Sequence, residues 1–339
     1  WASGWGTGVY ADVHFRSPKC EISLHTKDAG GLRDRRQRLQ PGRPGRAPVA
    51  ALPPCGRHAA MPLIFTHHFK RIFFMHFIDT HAHLDGAEFD ADRDEVVGRA
   101  RAAGVSHVLI PAIDLPSVGT VLATCDRYPG FAHPMIGLHP EEVNGGYREV
   151  LASLRRQLSP RFVAIGEVGL DYYWSREFEK EQLEAFEEQV RWSVETRLPL
   201  MIHCRKAQNE MVAMLRRYEA DLPGGVFHCF TGNEREAAEL LRFERFALGI
   251  GGVLTFKKSH LPEVLPHVPI VRIVLETDSP YMAPVPMRGK RNESAYVSYV
   301  LAKAAECYGV SEDELAEATN ATVRRIFGPL DAKSLVKET

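Results

Sequence analysis

Residues 77–85 read Phe-Ile-Asp-Thr-His-Ala-His-Leu-Asp, a short apolar run that finishes in ionisable side chains. On an extended chain alternate side chains share a face. His81 and His83 therefore point together, and Ala82 points the other way. Two imidazoles two residues apart can clamp a cation. A His-x-His pair by itself, however, is a weak signal, and its meaning depends on what recurs downstream.

Seven further apolar runs follow, at 105–112, 131–138, 162–167, 198–203, 225–228, 247–251 and 271–276. Several are almost continuously hydrophobic, as parallel strands covered on both faces are. Between them the chain reads mostly as helix. Leu183, Phe186, Val190 and Val194 recur at helical spacing. Asn233 with Glu236, and Ser311 with Glu314, carry the cap-and-return pattern of a helix start. Asn320 is a further candidate cap, for a last helix ending before Gly328. Eight strands alternating with helices predict an α/β fold, a (β/α)8 barrel over residues 75–339. A doubly wound open sheet is the rival. In such barrels the chemistry gathers at the C-terminal ends of the strands.

Those ends are where the ionisable residues collect. The third run closes in Gly137-Leu138-His139-Pro140 and the fourth in Gly166-Glu167-Val168-Gly169-Leu170-Asp171. The fifth closes in His203-Cys204-Arg205, the sixth in His228-Cys229-Phe230, and the eighth in Glu276-Thr277-Asp278-Ser279-Pro280. The glycines around Glu167 leave room beside its carboxylate for an ion or a close backbone. Any one of these residues reads equally well as a structural group. Together, His81, His83, Glu167, His203, His228 and Asp278 would converge on one rim, where burial without partners is costly. Divalent cations offset that cost. Cys204 and Cys229 are expected to turn away from the mouth as packing residues. His107 and His133, at the opposite end, are expected to be structural.

The chain has 339 residues, of which 45% are hydrophobic and 25% charged. That composition excludes a fibrous or wholly disordered protein and a small disulfide scaffold. No apolar run approaches the ~20 residues of a membrane-spanning helix. Six scattered cysteines without a Cys-x-x-Cys pair favour a reducing, cytoplasmic setting. The net charge of −1 hides an asymmetry. Residues 1–74 hold 12 basic and 4 acidic residues, and the remainder 30 basic and 39 acidic. The first 74 residues, rich in Arg, Pro and Gly between 33 and 54, read as a disordered or non-native basic leader. A nucleic-acid-binding arm or a transit peptide is the functional alternative for them. Met61 and Met75 are possible starts, and deletion of 1–74 is expected to leave turnover nearly unchanged.

From Phe77 onward the sequence resembles the TatD family of metal-dependent deoxyribonucleases, within the amidohydrolase-type metal barrels. The matching segments are FIDTHAHLD, GLHPEE, AIGEVGLDYYW, LPLMIHCRKA, VFHCFTGN, LGIGGVLTF and VLETDSPYMAPVPMRGKRNES, followed by NATVRRIFG. One departure is Ser294, where the family often has Pro; Arg288, Arg291 and Asn292 remain. The resemblance implies His81, His83, Glu167, His203, His228 and Asp278 as metal ligands. It further implies two divalent ions, Mg, Mn or Zn: one at His81, His83 and Asp278, one at His203 and His228, with Glu167 bridging. Four imidazoles suit Zn²⁺, Mn²⁺ or Fe²⁺ better than Mg²⁺. The catalytic candidates are Asp278, accepting a proton from the metal-activated water, and Glu167. His139, Arg205, Arg288 and Arg291 are substrate-binding candidates, the arginines for phosphate. Phe256 and Tyr281 are candidates for stacking on a base. The implied activity is 3′→5′ exonucleolytic hydrolysis of DNA. The acidic balance beyond residue 74 lacks the basic footprint of a duplex binder, so the expected substrate is a strand end or a short single strand. The alternatives are another hydrolase on the same barrel, acting on an ester, amide or aminoacyl ester, and a non-catalytic nucleic-acid-binding protein using the basic arm.

Overall fold

In the computed structural model, which describes residues 75–330, every apolar run overlaps a strand. These are β1 (Phe77–Asp79), β2 (Val105–Pro111), β3 (Ala132–Ile136), β4 (Ala164–Asp171), β5 (Leu200–Arg205), β6 (Gly225–Phe227), β7 (Phe246–Ile250) and β8 (Ile273–Leu275). They form one sheet in the unbroken order β1 to β8, and each neighbouring pair is parallel. A doubly wound sheet reverses its strand order at a switch point, so the sequential order rules that rival out. The fold is a (β/α)8 barrel. The expectation for residues 1–74 lies outside the described residues.

The barrel closes just past the ends of β1 and β8. Thr80 N–H donates to Leu275 O at 3.0 Å, Asp278 N–H to His81 O at 2.9 Å and His83 N–H to Ser279 O at 2.8 Å. Ala82 and Ser279 form an isolated parallel bridge in the same seam. The backbone bonds that shut the barrel therefore run through the segments carrying His81, His83 and Asp278.

Helices α1 (Arg93–Ala102), α2 (Leu115–Arg127), α3 (Tyr147–Gln157), α4 (Glu179–Thr196), α5 (Gln208–Arg216), α6 (Glu234–Leu240), α7 (Leu261–Val264), α8 (Val297–Tyr308) and α9 (Glu312–Phe327) follow the strands. In α4, Phe186 and Val190 are fully buried, and Leu183 and Val194 pack partly buried beside them. Asn233 and Ser311 begin α6 and α9 through reciprocal capping with Glu236 and Glu314. Asn320 does not start a helix. It lies inside α9, and its Nδ2 donates to His76 O at 2.6 Å across the tertiary structure.

Inside the barrel each strand contributes one apolar side chain to a single floor: Ile78, Leu109, Met135, Ala164, Met201, Val226, Ala247 and Val274. Val323, Ile326 and Phe327 of α9, with Leu330, close that floor from below. A second cluster fills the layer between strands and helices. The apolar floor leaves only the opposite, C-terminal end of the barrel for polar groups. There β4 continues to Asp171 and β5 to Arg205, further than their apolar runs suggest. No described helix is long and apolar enough to cross a membrane.

Candidate metal centre

Alternation along most strands carries the floor upward into a polar rim. On β5, Met201 lies in the floor and His203 is two residues above it; on β6, Val226 and His228 are related in the same way. Val274 of β8 leads to Glu276 and then to Asp278 in the segment that follows the strand. β1 does not follow this count. Ile78 is in the floor, yet Ala82 packs in the outer layer and His81 faces the centre. The strand ends at Asp79, whose carboxylate accepts from Thr277 N–H (2.9 Å) and Thr277 Oγ–H (2.7 Å). This cross-seam anchor lets the chain change phase, so the His-x-His pair reaches the mouth. Burial pushes the Asp79 carboxyl up to about 7, against the hydrogen bonds from Thr277.

Glu167 reaches the centre through an irregularity in β4, whose register with β5 shifts between Ile165 and Val168. The glycines around it are filled by backbone rather than left open. A Cβ on Gly169, at φ +146°, would lie 1.9 Å from His203 O. The absence of a side chain there lets β5 approach and brings His203 alongside Glu167.

The resulting cluster is tight. Glu167 Oε2 is 3.0 Å from His81 Nε2 and 3.8 Å from His83 Nε2. Its Oε1 is 2.9 Å from His203 Nδ1, 3.4 Å from His139 Nε2 and 3.8 Å from His228 Nε2. Asp278 Oδ1 is 3.6 Å from both His83 Nε2 and His228 Nε2, and 3.8 Å from His81 Nε2. Candidate ligand atoms gather within 4.8 Å of one another in the sets His81–His83–Asp278, His81–Glu167–His228 and His139–Glu167–His203. All six ligands expected from the sequence thus meet in one mouth. Within it His228 sits with His81, their rings stacked at 3.6 Å, and His203 sits with His139, at 4.5 Å.

The donor chemistry fits cations. Both ring nitrogens of His81 and Nδ1 of His228 are buried without an aligned hydrogen bond, although carboxylates lie 3.0 Å from His81 Nε2 and His228 Nδ1. Unpaired buried polar atoms are costly, and nitrogens and carboxylates that crowd without bonding are arranged as a ligand cage is. Burial works against the charge on Glu167, but the imidazoles of His81, His139 and His228 outweigh it and hold the carboxyl well below its usual range. Asp278 is likewise lowered: burial opposes its charge, and His228, His83 and His81 override that. Burial and the neighbouring charge of His228 lower His81. For His203 burial alone would do the same, but Asp171 and Glu167 raise it to about 10. His228 is raised to about 9, the carboxylates of Glu276, Glu167 and Asp278 outweighing burial.

Two outer carboxylates escaped the sequence reading. Asp171 Oδ2 lies 2.9 Å from His203 Nε2, and Glu276 Oε1 lies 3.0 Å from His228 Nδ1. Each faces the ring nitrogen opposite the one turned to the centre, the arrangement that orients a ligating imidazole. Glu276 was findable, because it precedes Asp278 by two residues on the same strand face. Asp171 was findable as well, four residues past Glu167 on the face opposite Val168 and Leu170, which pack in the outer layer. Cys204 packs beside the core as expected. Cys229 is not simply turned away. β6 has ended at Phe227, Cys229 adopts φ +49°, its N–H donates to Glu276 Oε1 at 2.6 Å, and its sulfur lies within reach of His228 and Glu276. His107 and His133 contact each other at 3.0 Å in β2 and β3, away from the mouth.

The expected substrate contacts separate. His139 caps the turn after β3, accepting at Nδ1 from Glu141 N–H at 3.1 Å. A neutral imidazole that accepts at Nδ1 carries its proton on Nε2, and that atom faces Glu167. Arg205 lies over the Tyr173 ring at 3.6 Å, and Arg288 over Phe256 at 4.0 Å. Arg291 is held by Asp92 at 2.7 Å and by Glu88 O. The Tyr281 ring stands 6.1 Å from that of His83, at the mouth.

The profile of the TatD related DNase family matches residues 78–328. Among curated proteins, the chain is 37% identical over 251 residues to the uncharacterized metal-dependent hydrolase YabD of Bacillus subtilis (strain 168), covering 74% of this chain and 98% of that protein. It is 36% identical over 259 residues to the 3′-5′ ssDNA/RNA exonuclease TatD of Klebsiella pneumoniae (strain 342), covering 74% and 97%. Among solved structures, YJJV, a TatD homolog from Escherichia coli K12, superposes with a TM-score of 0.70 at 28% identity, covering 76% of this chain and 99% of that one.

Proposed function

The chain belongs to the TatD family of metal-dependent hydrolases, and from that premise we propose that it cleaves phosphodiester bonds at the 3′ end of single-stranded DNA. The observation that carries the reading is the convergence of the imidazoles of His81, His83, His203 and His228 on Glu167 and Asp278 in a buried mouth, with Arg205 on the strand that carries His203. His81, His83, Glu167, His203, His228 and Asp278 would hold two divalent ions. When bound, such ions polarise a phosphoryl oxygen and make water acidic enough to react near neutral pH.

The chain's own groups have distinct tasks. Asp278 Oδ1 stays ionised beside His228 and His83 and accepts the proton of the attacking water. Glu167 turns one oxygen to His81 and the other to His203, so a single carboxylate spans both halves of the centre. Asp171 and Glu276 orient His203 and His228. His139 Nε2–H is a donor aimed at the centre, suited to a non-bridging phosphate oxygen. Arg205, on β5, and Arg288, in the segment after β8, supply further positive charge for the phosphate.

The test is an assay of the metal-reconstituted chain on 3′- and 5′-end-labelled single strands, beside ester and amide substrates. Stepwise shortening from the 3′ end, lost together with bound metal in the His203→Ala/His228→Ala double variant, is expected. Turnover of the esters or amides alone would replace this reading, and full activity in the double variant would refute the site.

A further inference from the structure

β4 ends at Asp171, the carboxylate that touches His203, and the next residues are Tyr172, Tyr173 and Trp174. Tyr172 is buried, but Tyr173 and Trp174 are 38% and 45% exposed. Exposing two adjacent large aromatics forfeits burial energy. Nor is the segment loosely attached. Tyr173 N–H donates to Asp171 Oδ1 at 2.8 Å, and Tyr172 N–H to Arg205 O at 2.9 Å. The two rings stand edge to face at 4.8 Å. The Arg205 guanidinium lies 3.6 Å over Tyr173 and 5.4 Å from Trp174. Aromatic faces and a cation are thus fixed to the backbone of a residue in direct contact with the centre.

We propose that Trp174, with Tyr173 and Arg205 behind it, is a stacking platform for an unpaired nucleobase of the strand whose phosphate enters the metal centre. This rests on the nuclease reading and names what selects its substrate. Every base offers a π-face, so such a platform tolerates sequence. A duplex buries those faces in its own stack, so the platform accepts an unpaired end and discriminates against a paired one. Arg205 adds a cation to the platform and stands beside the path of the backbone phosphate.

The experiment is calorimetric titration of the full-length chain, under chelation to suppress cleavage, with an eight-residue oligothymidylate and with an abasic octamer of equal charge. The wild type is expected to bind the oligothymidylate roughly fivefold to 150-fold more tightly, the span of one base–aromatic stack. Trp174→Ala should erase that preference, and Trp174→Phe should keep much of it. Equal binding of the two octamers, no measurable binding of oligothymidylate, or a preference that survives Trp174→Ala would each overturn the platform. If the metal-loaded wild type leaves end-labelled strands intact, the nuclease reading fails on its own while the titration still reads the platform.

Discussion

The backbone N–H of Asp278 donates to the carbonyl of His81 at 2.9 Å, across the seam where the last strand meets the first. Two residues far apart in sequence are thereby held in the backbone, and their side chains meet over Glu167. Asp278 adopts φ +54° to do so. That left-handed conformation is costly for most residues but tolerated by Asp and Asn.

Asp278→Asn keeps the shape and the tolerated backbone while removing the proposed proton acceptor. It is expected to lower kcat by about 10²- to 10⁴-fold, with an unchanged circular-dichroism spectrum. Wild-type turnover in this variant would move the general base elsewhere.

Gly249 provides the space that Glu276 occupies: a Cβ there would stand 2.2 Å from Glu276 Oε2. Gly249→Ala should displace the carboxylate from His228 and weaken metal affinity by roughly 10–100-fold, measured by competition with a chelating dye. Gly98→Ala is the control. A Cβ at that α1 position meets nothing within 4 Å, so metal affinity should hold and stability rise by up to ~1 kcal/mol.

Metal uptake should compete with protons. His203 and His228 are raised to about 10 and about 9 by their carboxylate neighbours, so both carry a proton at pH 7 in the chelated protein. A ligating imidazole must be neutral. Affinity is therefore expected to increase with pH up to that range, with proton release on binding. Calorimetry at pH 7 in buffers of different ionisation enthalpy reads this, and buffer-independent heats would contradict it. The stability of the chelated protein runs the other way. Both folded-state values lie above an unfolded histidine's ~6.5, so the contribution is complete below about pH 6.5 and is lost as pH rises through 9–10.

Phe327 closes the barrel floor from α9 and is 1% exposed. Phe327→Ala should cost about 3–5 kcal/mol in a denaturant titration. Because the floor lies opposite the mouth, the remaining folded enzyme should keep its kcat. A fall in kcat at full foldedness would mean that the floor also positions the rim.

The parts legible in the sequence are those with a local period. The apolar runs gave away all eight strands, because a strand covered on both faces leaves a continuous apolar trace. Phe186 and Val190 gave away the buried face of α4, and Asn233 and Ser311 the starts of α6 and α9. Asn320 misled, because a side chain that can cap a helix can equally donate to a distant carbonyl, here that of His76. Arg291 carried the residue type of a phosphate contact, but its ion pair with Asp92 on the loop before α1 joins segments far apart in sequence.

The sequence alone determined which residues could meet: a barrel was implied by eight alternating units, and a polar rim by ionisable groups at the strand ends. Tertiary structure alone decided how they meet. The Thr277–Asp79 anchor shifts the phase of β1, the irregularity in β4 turns Glu167 inward, and the close approach at Gly169 sets His203 beside it. The pairing of His203 with Asp171 and of His228 with Glu276 follows from those shifts. The physical reason is that side-chain alternation is a property of one strand, whereas its phase against the other seven is set by backbone contacts between strands.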